Sequence, residues 1–191
     1  MFFMEQFQLA DTFDLCLNFT LSEEGGFVDD PRDPGGATNK GITLATLRGF
    51  MHAPDLPVAS VREITSVMVH AIYQAEYWNR MRCDALPPGV DLMVFDHGVN
   101  AGPARSVKLL QESLRFDRAR QDGACGPGTL AAAAGFEPIA LIARLSRLQA
   151  ASYCALSGFR AFGSGWLTRQ NRRQAQARAM AAAGASARTA A

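Results

Sequence analysis

The chain lacks several features that would each mark a class of protein. It has no run of about 20 apolar residues, so no stable membrane insertion is expected. Met1-Phe2-Phe3-Met4-Glu5-Gln6-Phe7 carries no positive n-region and no long apolar h-region, which excludes an ordinary secretory signal. The expectation is synthesis in the cytoplasm, with other machinery delivering the protein to any target outside it. Cysteine is sparse: Cys16, Cys83, Cys125 and Cys154 form no CxxC pair, and His52, His70 and His97 do not cluster with them. That scatter argues against a zinc site and reads as buried free thiols made in a reducing compartment. No metal and no cofactor is expected. Strand signals are missing apart from two-residue ladders within residues 27–43, and no internal repeat is present. From Asn171 onwards there is no acidic residue, and only Arg172, Arg173, Arg178 and Arg188 carry charge. The formal net charge of +1 gives no reason to expect a nucleic-acid partner. The last stretch would attract anionic polymers weakly at low salt.

What is present is enough for a core. With 191 residues and 48% hydrophobic content, the chain is globular, either one domain of good size or two small ones sharing a core. Its organising stretch runs from Glu23 to Thr43 and packs glycine, proline and acidic residues between two helical segments. The segment before it carries Phe13, Cys16, Leu17, Thr20 and Leu21 at helical spacing. Glu24 lies eleven residues beyond Phe13, about three full turns, and so shares the apolar stripe. Glu23 points off that stripe towards solvent, and Gly25 is the expected left-handed stop. A carboxylate on a core-facing stripe in the last turn of a helix has two reasons to keep its proton: burial and the carbonyls of the helix end. Those are the properties of a general acid. Asp33 and Thr38 follow in a returning Gly/Pro-rich loop, where catalytic groups concentrate.

Beyond the loop the pattern is helical. Thr43 caps a short helix from Leu44 to about Met51. Ser60 and Glu63 form a capping box ahead of an amphipathic stripe of Ile64, Val67, Met68, Ala71, Ile72 and Ala75. This stripe runs into Tyr77-Trp78-Asn79-Arg80, an aromatic pair that serves either packing or sugar stacking. Leu86-Pro87-Pro88-Gly89 is the clearest break. Asp91 opens a helix through Val99, and Pro103 opens the next, with Val107, Leu110, Gln111 and Leu114 on one face. Asp96 and His97 are adjacent and point about 100° apart, so a structural role is preferred for them. Pro138 starts a long helix through about Leu156. The Ala/Arg/Gln-rich end cannot bury enough to order itself and is expected to fray.

These residues also carry a resemblance. EGGFVDDPRDPGGATNKGIT, FDHGVN-G, DG-x-x-GP-x-T and GW-x-x-R, in register over roughly residues 10–170, resemble the glycoside hydrolase family 108 muramidases of phages and bacterial secretion systems. The spacing of Glu24, Asp33 and Thr38 is similar to the Glu/Asp/Thr arrangement of phage-type lysozymes, one residue shorter in its second gap. The resemblance implies a mainly α, lysozyme-like muramidase domain over residues 8–88. A helical, peptidoglycan-binding-like subdomain would pack against it over 89–170, followed by a flexible tail over 171–191. It implies cleavage of the β-1,4 bond between N-acetylmuramic acid and N-acetylglucosamine in bacterial peptidoglycan. Glu24 would be the proton donor, Asp33 the second carboxylate, and Thr38 a holder of the attacking water. Tyr77, Trp78 and Asn100 would bind substrate. An inverting enzyme would hold its carboxyls roughly 6.5–9.5 Å apart, a retaining one about 5 Å apart. Two alternatives stay open: a lytic transglycosylase using Glu24 alone, and a non-catalytic wall-binding or secretion-accessory protein. Delivery would fall to a holin or to secretion machinery, as for an endolysin.

Overall fold

The computed structural model describes residues 12–29 and 36–189. In order, the elements are α1 (Thr12–Glu23), a hairpin of β1 (Thr38–Asn39) and β2 (Ile42–Thr43), α2 (Leu44–Met51), α3 (Val58–Arg62), α4 (Ser66–Tyr73), α5 (Val90–Ala101), α6 (Pro103–Ser113), α7 (Pro127–Ala134), α8 (Pro138–Cys154) and α9 (Phe159–Thr189). The fold is mainly α, as expected of a lysozyme-like protein.

Everything is arranged about α5. Each residue from Val90 to Gly98 is buried, polar ones included. A helix covered on all sides needs neighbours on all sides, and α1, α6, α8 and α9 supply them. Gly98 has no room for a side chain because Met81 lies against it. On one flank Phe13, Trp78 and Phe95 pack ring against ring, with centroids 5.1–5.8 Å apart. The same continuous core takes in Leu110, Leu141, Leu145 and Ala177, so apolar packing passes uninterrupted across the Leu86–Gly89 break. Full burial of each such side chain is worth about 1.5–3 kcal/mol. Asp91, at the start of α5, turns its carboxylate onto the backbone N–H groups of Gly89 and Leu92 at 2.7 and 2.6 Å. Burial pushes that carboxyl up to about 7 despite those two bonds.

The Leu44–Met51 helix begins where its sequence predicts, with the Thr43 hydroxyl accepting the Thr46 N–H at 3.0 Å. Other local expectations need correction. Gly25 is not left-handed; among the described glycines of this region Gly36 and Gly41 have positive φ, 69° and 75°. Ser60 lies inside α3, a five-residue helix behind Pro57, and Thr65 caps α4 by accepting the Met68 N–H at 3.2 Å. That later start rotates the buried face to Val69, Ile72 and Tyr73, leaving Val67 76% exposed. Cys83 and Cys125 are buried free thiols, Cys16 is buried as well, and Cys154 is exposed. Among the described residues no single helix is long and apolar enough to cross a membrane.

The end of the chain differs most from its sequence reading. Instead of fraying from Asn171, α9 continues to Thr189 as one helix. Gln170, Arg173, Ala177 and Ala181 form its buried face. Alanine is what that contact requires: the Ala177 carbonyl sits where a Gly89 side chain would be, and Gly184 lies close against Pro88. Composition counts apolar area, and here small residues earn stability through close approach to a groove built by other elements.

Candidate active site

Glu24 is the first residue beyond α1. Phe13, Cys16, Leu17 and Thr20 bury the stripe that aims it inward, and its side chain is only 17% exposed. Facing it is the hairpin, whose two-residue turn Lys40-Gly41 has positive φ at both positions, 50° and 75°. That is the backbone of a tight hairpin turn with matched twist. A side chain at Gly41 would stand 2.9 Å from Glu24 Oε2 and would collide with the Tyr73 hydroxyl. Tyr73 donates from that hydroxyl to the Lys40 carbonyl at 2.8 Å, and Asn39 donates to the Val61 and Arg62 carbonyls at 3.0 and 3.1 Å. The turn is thereby fixed from both sides. Burial, then the Glu24 carboxylate, hold the Tyr73 phenol well above its ordinary pKa, so it acts as a neutral donor.

Behind Glu24 lies a buried ionic network. Arg169 of α9 donates through Nη1 to Glu24 at 2.8 Å, and through Nη2 and Nε to Asp96 at 2.6 and 3.2 Å. Asp96 also accepts from Arg173 at 2.6 Å and from the Thr20 hydroxyl at 3.0 Å. Arg173, fully buried, reaches on to Gln149 and Gln170. Burial opposes ionisation of Asp96, but Arg173 and Arg169 outweigh it and hold the carboxyl below its usual range. Helices α1, α5 and α9 are therefore tied together by charge at the point where Glu24 sits. Such a network is stabilising only as a complete set, because removing one member leaves a buried charge uncompensated. Glu23, expected to face solvent, is also covered: Arg172 of α9 pairs with it at 2.7 Å. Next to Asp96, His97 is fully buried with neither ring nitrogen hydrogen-bonded, its ring 5.7 Å from that of Tyr153. Burial, then Arg173, push its pKa down to about 3.

The other candidate residues fall in different places. Asp33 lies outside the described residues. Thr38 is in β1, bridged to Val28 by two 2.8 Å backbone bonds, with its hydroxyl donating to the Gly36 carbonyl at 3.1 Å. Tyr77 sits in the π-helical turn Gln74–Asn79 and lines a groove of about 260 Å³ with Phe50, Glu76 and Arg80. Its phenol is pushed up by burial, then by Glu76 and Glu24, which puts it within electrostatic reach of the acid. Trp78 is 4% exposed and belongs to the Phe13–Phe95 aromatic core, so it has no free face for a sugar. Asn100 is exposed, donates to the Asp96 carbonyl at 2.8 Å, and shares a pocket with Arg169. The Asp122–Thr129 loop is organised by Gln111, which donates to Asp122, Ala124 and Thr129 and accepts from the Gly123 N–H. Among the described residues no cluster of three His, Cys, Asp or Glu side chains could hold a metal ion.

The sequence profile of the glycosyl hydrolase 108 family matches residues 17–102, which take in Glu24, Gly41, Tyr73 and Asp96. The solved structure of SagA from Brucella abortus superposes with a TM-score of 0.80 at 40% identity, covering 89% of this chain and 95% of that one. This chain belongs to the glycosyl hydrolase 108 family. A comparison with curated proteins found no match. Membership makes the protein a glycoside hydrolase, and it draws attention to what lies outside the matched segment. Arg169, the partner of Glu24, is 67 residues beyond the end of the match. In the sequence its only signal is the arginine of GW-x-x-R. Tyr73 carried no signal beyond apolar spacing, and Gly41 stood only as part of the GIT motif.

Proposed function

We propose that this glycoside hydrolase is a muramidase that cleaves the β-1,4 bond between N-acetylmuramic acid and N-acetylglucosamine of bacterial peptidoglycan, with Glu24 as general acid. The observation that carries this reading is the division of the Arg169 guanidinium between two carboxylates. To act as an acid, Glu24 must take up a proton and so surrender its share of the ion pair. When Glu24 is protonated, Asp96 keeps two of the three contacts to Arg169, its one negative charge then serving both Arg169 and Arg173. Arg169 thus keeps a carboxylate partner in both charge states of Glu24, which the arginine of a lone Glu–Arg pair would not.

Asp33 is the second carboxylate in this reading. Thr38 helps to hold the attacking water, since its hydroxyl donates to Gly36 and retains lone pairs for a water donor. Tyr77 offers a half-buried ring along the groove between α2 and the Gln74–Asn79 turn, where a pyranose face could stack. Trp78 leaves the list of sugar contacts.

The test is mass spectrometry of borohydride-reduced digests of purified peptidoglycan made by wild type and by Glu24→Gln. Fragments ending in reduced N-acetylmuramic acid are expected from wild type. The variant should lose at least about two orders of magnitude of activity, in line with general acid catalysis. Anhydro-sugar ends would mean transglycosylation and would remove Asp33 from the mechanism. Wall binding without fragments would mean a non-catalytic protein.

A further inference from the structure

Beside Arg169 lies a pocket of about 310 Å³, between the α5–α6 turn and the α8–α9 pair. One wall is aromatic: Tyr153 and Trp166 have ring centroids 5.9 Å apart, and Phe162 continues the row at the rim, 63% exposed. The lining also carries Asn100 and two guanidinium groups, Arg105 and Arg169, and no carboxylate among the described residues lines the pocket.

The two arginines are not equivalent. Arg169 is already shared between Glu24 and Asp96. Arg105 is exposed and forms no ion pair with any described residue. It stands in the first turn of α6, directly after Pro103 and Ala104, where no acidic residue accompanies it. That is the end of a helix where a cation is opposed by the macrodipole and an anion is favoured. The fold gains nothing evident from a cation there, whereas a bound anion would satisfy both the guanidinium and the helix end.

We propose that this pocket binds a carboxylate of the peptide borne by the glycan, with Arg105 as the anion's partner and Trp166 as the surface on which the attached amino sugar lies. The inference rests on the muramidase reading and extends it: Arg169 Nη1 contacts Glu24 and the same residue lines the pocket, so a peptide-bearing sugar held here is adjacent to the acid. The enzyme therefore distinguishes peptide-substituted glycan from bare glycan, and acidic stems from amidated ones.

Calorimetric titration of the wild-type protein with N-acetylglucosaminyl-N-acetylmuramyl-peptide tests this, because that disaccharide lacks the bond to be cleaved. The counterpart with its peptide carboxyls converted to carboxamides serves as the comparison. Wild type should bind the acid form about tenfold more tightly or better, the range of a charge-assisted hydrogen bond. Arg105→Gln, an exposed substitution, should bind both forms equally and as weakly as wild type binds the amide. Equal binding of both forms by wild type overturns the proposal, as does an Arg105→Gln loss of the same factor for both. If the discrimination is found while peptidoglycan is not cleaved, the pocket stands and the muramidase reading falls. Cleavage without discrimination retires the pocket alone.

Discussion

The Arg169 guanidinium lies 2.8 Å from the Glu24 carboxylate, and both side chains are largely shielded, 13% and 17% exposed. The pair joins the end of the first helix to the middle of the last, across 145 residues of sequence. In the proposed mechanism Arg169 is a positioning residue, since it would act through Glu24.

Arg169→Gln should therefore lower turnover by at least tenfold, and Arg169→Lys should restore little of it. A lysine ammonium is a point charge and cannot reproduce the fork that spans two carboxylates. Both variants should also melt at lower temperature: in Arg169→Gln Asp96 loses one of its two cations in a buried setting, and in Arg169→Lys one ammonium cannot keep all three contacts. Turnover and thermal denaturation measured on the same preparations separate the two effects. Wild-type turnover in Arg169→Gln would show that Glu24 needs no such support.

Gly41→Ala probes the opposite side of the acid. The added methyl would meet the Tyr73 hydroxyl and Glu24 in a backbone conformation with φ of 75°. A destabilisation of about 1–3 kcal/mol is expected from strain and displaced contacts, together with at least a tenfold loss of activity. Tyr73→Phe, which removes only the bond to the Lys40 carbonyl, should cost less stability, about 1 kcal/mol. Denaturant titration of the two variants checks the ranking.

Truncation after Arg173 should be harmful. It removes Ala177 and Ala181 from the buried face of α9 and uncovers Gly89. A fall of several degrees in melting temperature is expected, with Glu24 still in place but less well held. An unchanged melting temperature would mean that the end of α9 contributes no net packing.

His97 should make the protein acid-sensitive. Its pKa is about 3 when folded, against an ordinary value of 6.5. The unfolded chain therefore binds more protons between those values, so the contribution is complete above about pH 6.5 and is lost as pH falls towards 3. The full effect is on the order of 5 kcal/mol. His97→Phe keeps the ring beside Tyr153 and removes the titrating group. It should flatten the decline in stability between pH 6.5 and 4, measured by urea unfolding across that range. An equally steep decline in the variant would place the acid sensitivity elsewhere.

Much of the helical plan was legible in the chain. Phe13, Cys16, Leu17 and Thr20 announced α1 and the inward aim of Glu24, and Thr43 announced α2, because both depend on neighbours within a turn or two. Where a start signal competed with another nearby, as with Ser60 and Thr65, the choice fell to packing, and the face of α4 rotated with it. Glu23 misled for the same reason. Helical geometry turned it outwards, and a distant helix covered it.

By itself, the sequence determined that this is a mainly helical glycosyl hydrolase 108 protein with a carboxylate at the end of its first helix, since periodicity, caps and motif spacing are local properties. Tertiary structure decided what that carboxylate touches. Arg169, Asp96 and Tyr73 come from three helices far apart in the chain and meet around Glu24 only because α5 is enclosed on every side. Trp78 was assigned to the core and Tyr77 to a groove by that same enclosure. The order of α9 has this origin too, because an alanine-rich face gains stability only from a surface already shaped to receive it.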